Sequence, residues 1–141
     1  MNYRIGIDLS MSSTNLEMIG NPRYEPPMAR EPHHPDRDQI ALSAVLEALS
    51  EPIRREIVLQ LVEEGEAACM AFDDCAPKTN LSYHFARLRE AGITRVRIDG
   101  PYRKISLRTE DLEARFPGLL ETIIAAARRE AVDARDHAKV S

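Results

Sequence analysis

Cysteine is scarce: Cys69 and Cys75 are the two thiols of a 141-residue chain. They are too few for the disulfide framework of a small secreted domain, and they lack the four clustered ligands of a structural zinc site. The core must therefore rest on packing. Tryptophan is missing and aromatic residues make up 5% of the chain, which argues against a base-stacking platform or a sugar-binding cleft. No run approaches the ~18 uninterrupted apolar residues of a bilayer span, and the opening Met1-Asn2-Tyr3-Arg4-Ile5-Gly6-Ile7-Asp8 lacks the apolar stretch of a signal peptide. The expectation is a cytoplasmic protein with no membrane partner. Signatures of catalysis are missing too. There is no G-x-S-x-G, no phosphate loop and no metal-spaced His/Glu motif, and a Cys69 or Cys75 pair with His84 lacks a third orienting group. No enzyme, cofactor or metal is expected.

What the chain does contain is ordinary globular material, 43% hydrophobic and 30% charged, in a length suited to one domain. Its total charge is −4, but the distribution is uneven. Between Lys78 and Arg108 eight cations face only Glu90 and Asp99, a net of +6, so the remainder carries −10. A basic block inside an acidic chain is a local footprint for a polyanion.

Residues 1–35 hold five of the nine prolines and read as a flexible tail, with Tyr3, Ile5, Ile7 and Leu9 alternating as a short strand would. His33 and His34 lie in it and read as solvated. Helical periodicity begins near Asp36, where Leu42, Val45, Leu46 and Leu49 share one face. Ser50 offers an N-cap to a second helix with Pro52 in its first turn, striped by Ile53, Ile57, Val58, Leu61 and Val62 and stopped at Gly65. A short third helix is expected over Glu66–Phe72, ended by Asp73-Asp74-Cys75-Ala76-Pro77. Leu81, Phe85 and Leu88 stripe the next helix, from Lys78 to Ala91, with Gly92 closing it. Thr94–Asp99 and Arg103–Arg108 read as two strands of a basic hairpin around Gly100-Pro101-Tyr102. Thr109 caps a further segment, Pro117-Gly118 interrupts, and Leu120, Ile124, Ala127 and Ala131 stripe a final helix. The domain is placed at residues 36–135, with a tail over 136–141.

Helix, short helix, turn, helix, then basic hairpin is the order of a winged helix-turn-helix: mainly α with a β-hairpin wing. The major groove admits one helix, whose exposed side chains can reach base edges, while a cationic hairpin can hold phosphates. The recognition-helix candidates are Lys78, Thr79, Asn80, Ser82, Tyr83, His84 and Arg87, and the wing candidates are Arg95, Arg97, Arg103 and Lys104. His84 borders the apolar stripe and reads as a packed, hydrogen-bonded histidine rather than a metal ligand.

Two runs carry a family resemblance. Ala48-Leu49-Ser50-Glu51-Pro52-Ile53-Arg54-Arg55-Glu56-Ile57 resembles the "LadptRrrIL" opening of the ArsR (arsenic-repressor-type) bacterial transcription regulators. Lys78-Thr79-Asn80-Leu81-Ser82-Tyr83-His84-Phe85-Ala86-Arg87-Leu88-Arg89-Glu90-Ala91-Gly92-Ile93 is similar to the recognition-helix signature "S-x-x-x-S-x-H-L-x-x-L-r-e-A-G-L". The resemblance covers about Ile40 to Ala127. It implies a homodimeric repressor of operator DNA whose first and last helices form the dimer interface, here Leu42, Val45, Leu46 and Leu49 with Leu120, Ile124, Ala127 and Ala131. Metal-sensing members carry Cys-x-Cys in the third helix, whereas Ala71 stands two residues after Cys69. Cys69 and Cys75 are left as a candidate thiol sensor, with two partly buried structural cysteines as the plainer reading. The effector is not readable. The alternative function is a winged-helix protein-interaction module without DNA binding, which the acidic remainder permits.

Overall fold

The computed structural model describes residues 32–72 and 78–140, within a compact unit that spans Glu31–Ser141. The alternating Tyr3–Leu9 run, the proline-rich residues before Pro32 and Cys75 lie outside the described residues. A 3-10 turn at Arg37–Gln39 precedes α1 (Leu42–Ala48), α2 (Pro52–Glu64), β1 (Glu66–Ala68), a 3-10 turn at Cys69–Phe72, α3 (Lys78–Glu90), β2 (Thr94–Asp99), β3 (Tyr102–Leu107), α4 (Thr109–Arg115) and α5 (Leu119–Val140). The strands form an antiparallel sheet in the order β1-β3-β2. This is a mainly α winged helix-turn-helix, with β2 and β3 as the wing.

Periodicity explains most of it. Ile57, Val58 and Leu61 of α2, Leu81 and Leu88 of α3, and Val96 and Ile105 of the wing are buried together with Phe72 and Ile93. Each such side chain contributes roughly 1.5–3 kcal/mol by leaving water. The turn after α3 sets how that helix meets the wing. Ile93 N–H donates to the Leu88 carbonyl (3.0 Å) and Gly92 N–H to that of Arg89 (3.0 Å), the pairing that closes a helix on a left-handed residue. Gly92 has φ +84°, and a Cβ there would lie 2.5 Å from Ile40 Cγ1.

Several expectations are corrected. Glu66–Ala68 is a strand rather than the start of a helix: Gly65, at φ +80°, turns the chain so that Glu66, Ala67 and Ala68 pair with Ser106, Ile105 and Lys104. Glu-Ala-Ala has helical propensity, and the long-range pairing overrides it. Ser50 does not cap α2. Its hydroxyl donates backward to the Glu47 carbonyl (2.6 Å), and Glu51 holds the N-cap position, followed by Pro52 at the head of the helix. Thr109 lies inside α4, whose N-cap position is Arg108. Residues 136–140 continue α5 as helix.

Candidate nucleic-acid interface

Two arginines of α2 brace the elements around α3. Arg54 heads the apolar stripe of α2 and is buried; its Nε donates to the Ala48 carbonyl (2.5 Å) and its NH1 to His84 Nδ1 (3.1 Å). Arg55 donates to the neighbouring Leu49 carbonyl (2.9 Å) and to Glu130 of α5 (3.1 Å). Two guanidinium groups thus take up the carbonyls at the C-terminus of α1, where unpaired acceptors and the helix dipole favour cations. The sequence reading missed both roles. The signal was present, since Arg54, Ile57, Val58 and Leu61 follow i, i+3, i+4, i+7 and put Arg54 on the buried face.

His84 is the packed histidine expected from its place beside the stripe, being 7% exposed. It is therefore removed from the set that faces outward. Its Nδ1 accepts from Arg54, so the ring is neutral with its proton on Nε2. Burial, and then the Arg54 charge, push its pKa below the ordinary histidine value. The ring packs edge-on against Tyr83, with centroids 5.5 Å apart, and Tyr83 is 58% exposed. Asn80 and Ser82 are exposed beside it. Lys78 and Thr79 open the helix, and their side chains lie outside the description. Arg87, the last of the recognition-helix candidates, is paired: its NH2 donates to the Glu47 carboxylate of α1, and its NH1 lies 3.7 Å from Glu90. The hydrogen bond from Arg87 holds the Glu47 carboxyl below the usual carboxylate range.

The register sorts the wing cations onto two faces. Arg97 pairs across to Lys104 and Arg95 to Ser106, which places Arg95, Arg97 and Lys104 on the outer face with Glu66 and Asp99. Arg103 stands opposite Ile98, on the other face, where its charge reaches Cys69 and Arg89. The outer cations are matched by acids. Arg97 meets Glu66 through two bonds (Nε to Oε2 3.3 Å, NH2 to Oε1 2.8 Å). Lys104 lies 3.0 Å from Asp99, and Arg95 3.9 Å from Asp111.

The segment read as the end of the tail is tied to this surface. His34 Nε2 accepts the Val96 N–H of the edge strand β2 (2.9 Å), the His33 carbonyl accepts from Arg89 (3.2 Å), and the Pro35 carbonyl accepts from buried Arg108 (2.7 Å). Ordered packing thus begins before the composition shift at residue 36. Cys69 is a free, partly buried thiol whose pKa burial pushes up, which opposes the thiolate that a redox sensor needs. Among the described residues no group of three or more His, Cys, Asp or Glu side chains is placed to hold a metal ion, and no helix is long and apolar enough to cross a membrane.

The dimer candidates divide. Val45, Leu49 and Leu120 belong to the protomer's own core. Leu42 and Leu46 are 46% and 47% exposed. Ile124 and Ala127 are half-buried beside a shallow apolar cleft whose lining includes Leu49, Val58 and Ile123, and Ala131 is exposed.

Comparison with known proteins follows the same outline. Residues 49–97, from the end of α1 into β2, match the family description "Helix-turn-helix domain". The HTH-type transcriptional regulator YceK of Bacillus subtilis (strain 168) is 38% identical over 89 residues, which cover 61% of this chain and 88% of that protein. A crystal structure of an ArsR family transcriptional regulator superposes with a TM-score of 0.44 at 20% identity, over 74% of this chain and 97% of the other. The match across nearly all of YceK makes this chain a member of the helix-turn-helix transcriptional regulators, and the run from Lys78 to Ile93 carries its resemblance to the ArsR type.

Proposed function

We propose that the protein is a cytoplasmic, homodimeric repressor that binds operator DNA through α3 and the wing. The observation that carries this reading is the pairing of an exposed polar surface on α3 (Asn80, Ser82 and Tyr83) with a cationic hairpin set at a fixed angle to it by the closure at Gly92. Side chains of that kind reach base edges in the major groove, and arginines on an adjacent hairpin reach phosphates. Asn80, Ser82 and Tyr83 read sequence; Arg95, Arg97, Arg103 and Lys104 supply affinity. Arg87 and His84 brace the helix.

Dimerisation uses Leu42 and Leu46 of α1 and Ile124, Ala127 and Ala131 of α5, the apolar positions that the protomer leaves wholly or partly uncovered. A two-fold dimer presents two reading helices to half-sites about one helical turn apart, and occupation of such a site at a promoter represses by exclusion. Two measurements on the full chain test this. Light scattering is expected to give a dimer that Leu46→Glu converts to monomer. Selection from a random duplex pool is expected to return an inverted repeat. A wild-type monomer at tens of micromolar, or a pool with no enriched sequence, contradicts the reading.

A further inference from the structure

We propose that Glu66 is an intramolecular competitor of DNA: its carboxylate occupies the fork of Arg97 in the free protein, and the wing binds phosphate there only by displacing it. The proposal rests on the assignment of Arg97 to the DNA surface made above, and it adds a residue of opposite charge to that surface.

The geometry is that of a built contact. Glu66 sits on β1 opposite Ser106 and Arg97 on β2 opposite Lys104, so the pair lies diagonally over β3, with both ends fixed by strand pairing. The two bonds at 3.3 and 2.8 Å use Nε and NH2 of one guanidinium. That edge matches a carboxylate or a phosphate equally well and cannot grip both at once. The same arrangement recurs on the wing, since Lys104 carries Asp99 (3.0 Å). The Arg97 bond also holds the Glu66 carboxyl below the usual range, so it stays ionised at neutral pH. When a duplex arrives, one ion pair is exchanged for another, and the freed carboxylate then faces the phosphate backbone. Both effects lower affinity, and neither depends on base sequence. The freed carboxylate also draws cations back, which offsets part of the counterion release that drives binding.

The test is fluorescence anisotropy with a labelled random-sequence duplex over a salt series, using the full chain as wild type, Glu66→Gln, Arg97→Ala and the double variant. Glu66→Gln is expected to bind about two- to tenfold tighter at low salt, with a steeper log–log salt slope, so that it converges with wild type at high salt. In the Arg97→Ala background the gain disappears. Thermal unfolding checks that each variant is folded, and Glu66→Ser is expected to give the same sign should Gln itself hydrogen-bond Arg97. If Arg97→Ala weakens binding but neither Glu66 variant tightens it, the competitor is refuted and the interface stands. A gain that persists without Arg97 reduces the effect to general charge removal and also refutes it. If Arg97→Ala leaves binding unchanged, the phosphate role of Arg97 fails, and this proposal with it.

Discussion

Among the described residues stand two groups of arginines that composition cannot tell apart. Those that point inward hold backbone: Arg54 and Arg108 are buried and donate to the carbonyls of Ala48 and Pro35. Those on the wing (Arg95, Arg97 and Arg103) are exposed, and the first two face carboxylates. An inward arginine is strongly desolvated, so its partners are obligatory. An outward one exchanges partners at little cost. The basic block counted from Lys78 to Arg108 therefore overstates the surface available to DNA, because Arg87, Arg89 and Arg108 are engaged with the protein itself.

Truncating one member of each group should separate them most widely. Arg54→Ala removes the donor to a buried carbonyl and the partner of His84, and it leaves a cavity; a loss of about 3 kcal/mol is expected by urea denaturation. Arg97→Ala should cost under about 1 kcal/mol in the same assay while weakening binding to any duplex. Similar losses for both would erase the distinction.

Gly92→Ala acts at the joint between the reading helix and the wing. The left-handed backbone and the 2.5 Å approach to Ile40 should together cost about 2 kcal/mol. Thermal unfolding measures this. An unchanged midpoint would mean that the closure tolerates a side chain and does not set the angle.

The smallest effect is one of pH. Burial lowers the His84 pKa in the folded protein, so the unfolded chain takes up that proton first. The stability linked to it is complete above the unfolded value of about 6.5 and is lost as pH falls through the lower folded value. Wild type should therefore lose stability more steeply than His84→Gln between neutral pH and the mildly acidic range. Parallel profiles would show that His84 does not titrate differently on folding.

Much of this was legible in the residues. Period 3.6 marks α1, α2, α3 and α5, and period two marks β2 and β3, because each has one face on the core. Strand β1 was not legible: three residues without β propensity become a strand only because β3 lies beside them. The stripe of α1 was read whole, yet Val45 and Leu49 turn inward while Leu42 and Leu46 stay exposed, and only the packing of neighbouring elements decides that. The pairing of Arg87 with Glu47 joins residues 40 positions apart, which local spacing cannot reveal.

The division of labour between α3 and the wing is tested most directly by measuring binding to a selected duplex and to its scrambled counterpart, across salt, for wild type, Tyr83→Ala and Arg103→Ala. The account predicts that wild type prefers the selected duplex and weakens on both as salt rises. Tyr83→Ala should narrow the preference by about 1–3 kcal/mol, and Arg103→Ala should weaken both duplexes alike. Failure of wild type to bind either duplex at low salt would contradict it and favour a winged helix that docks on protein instead.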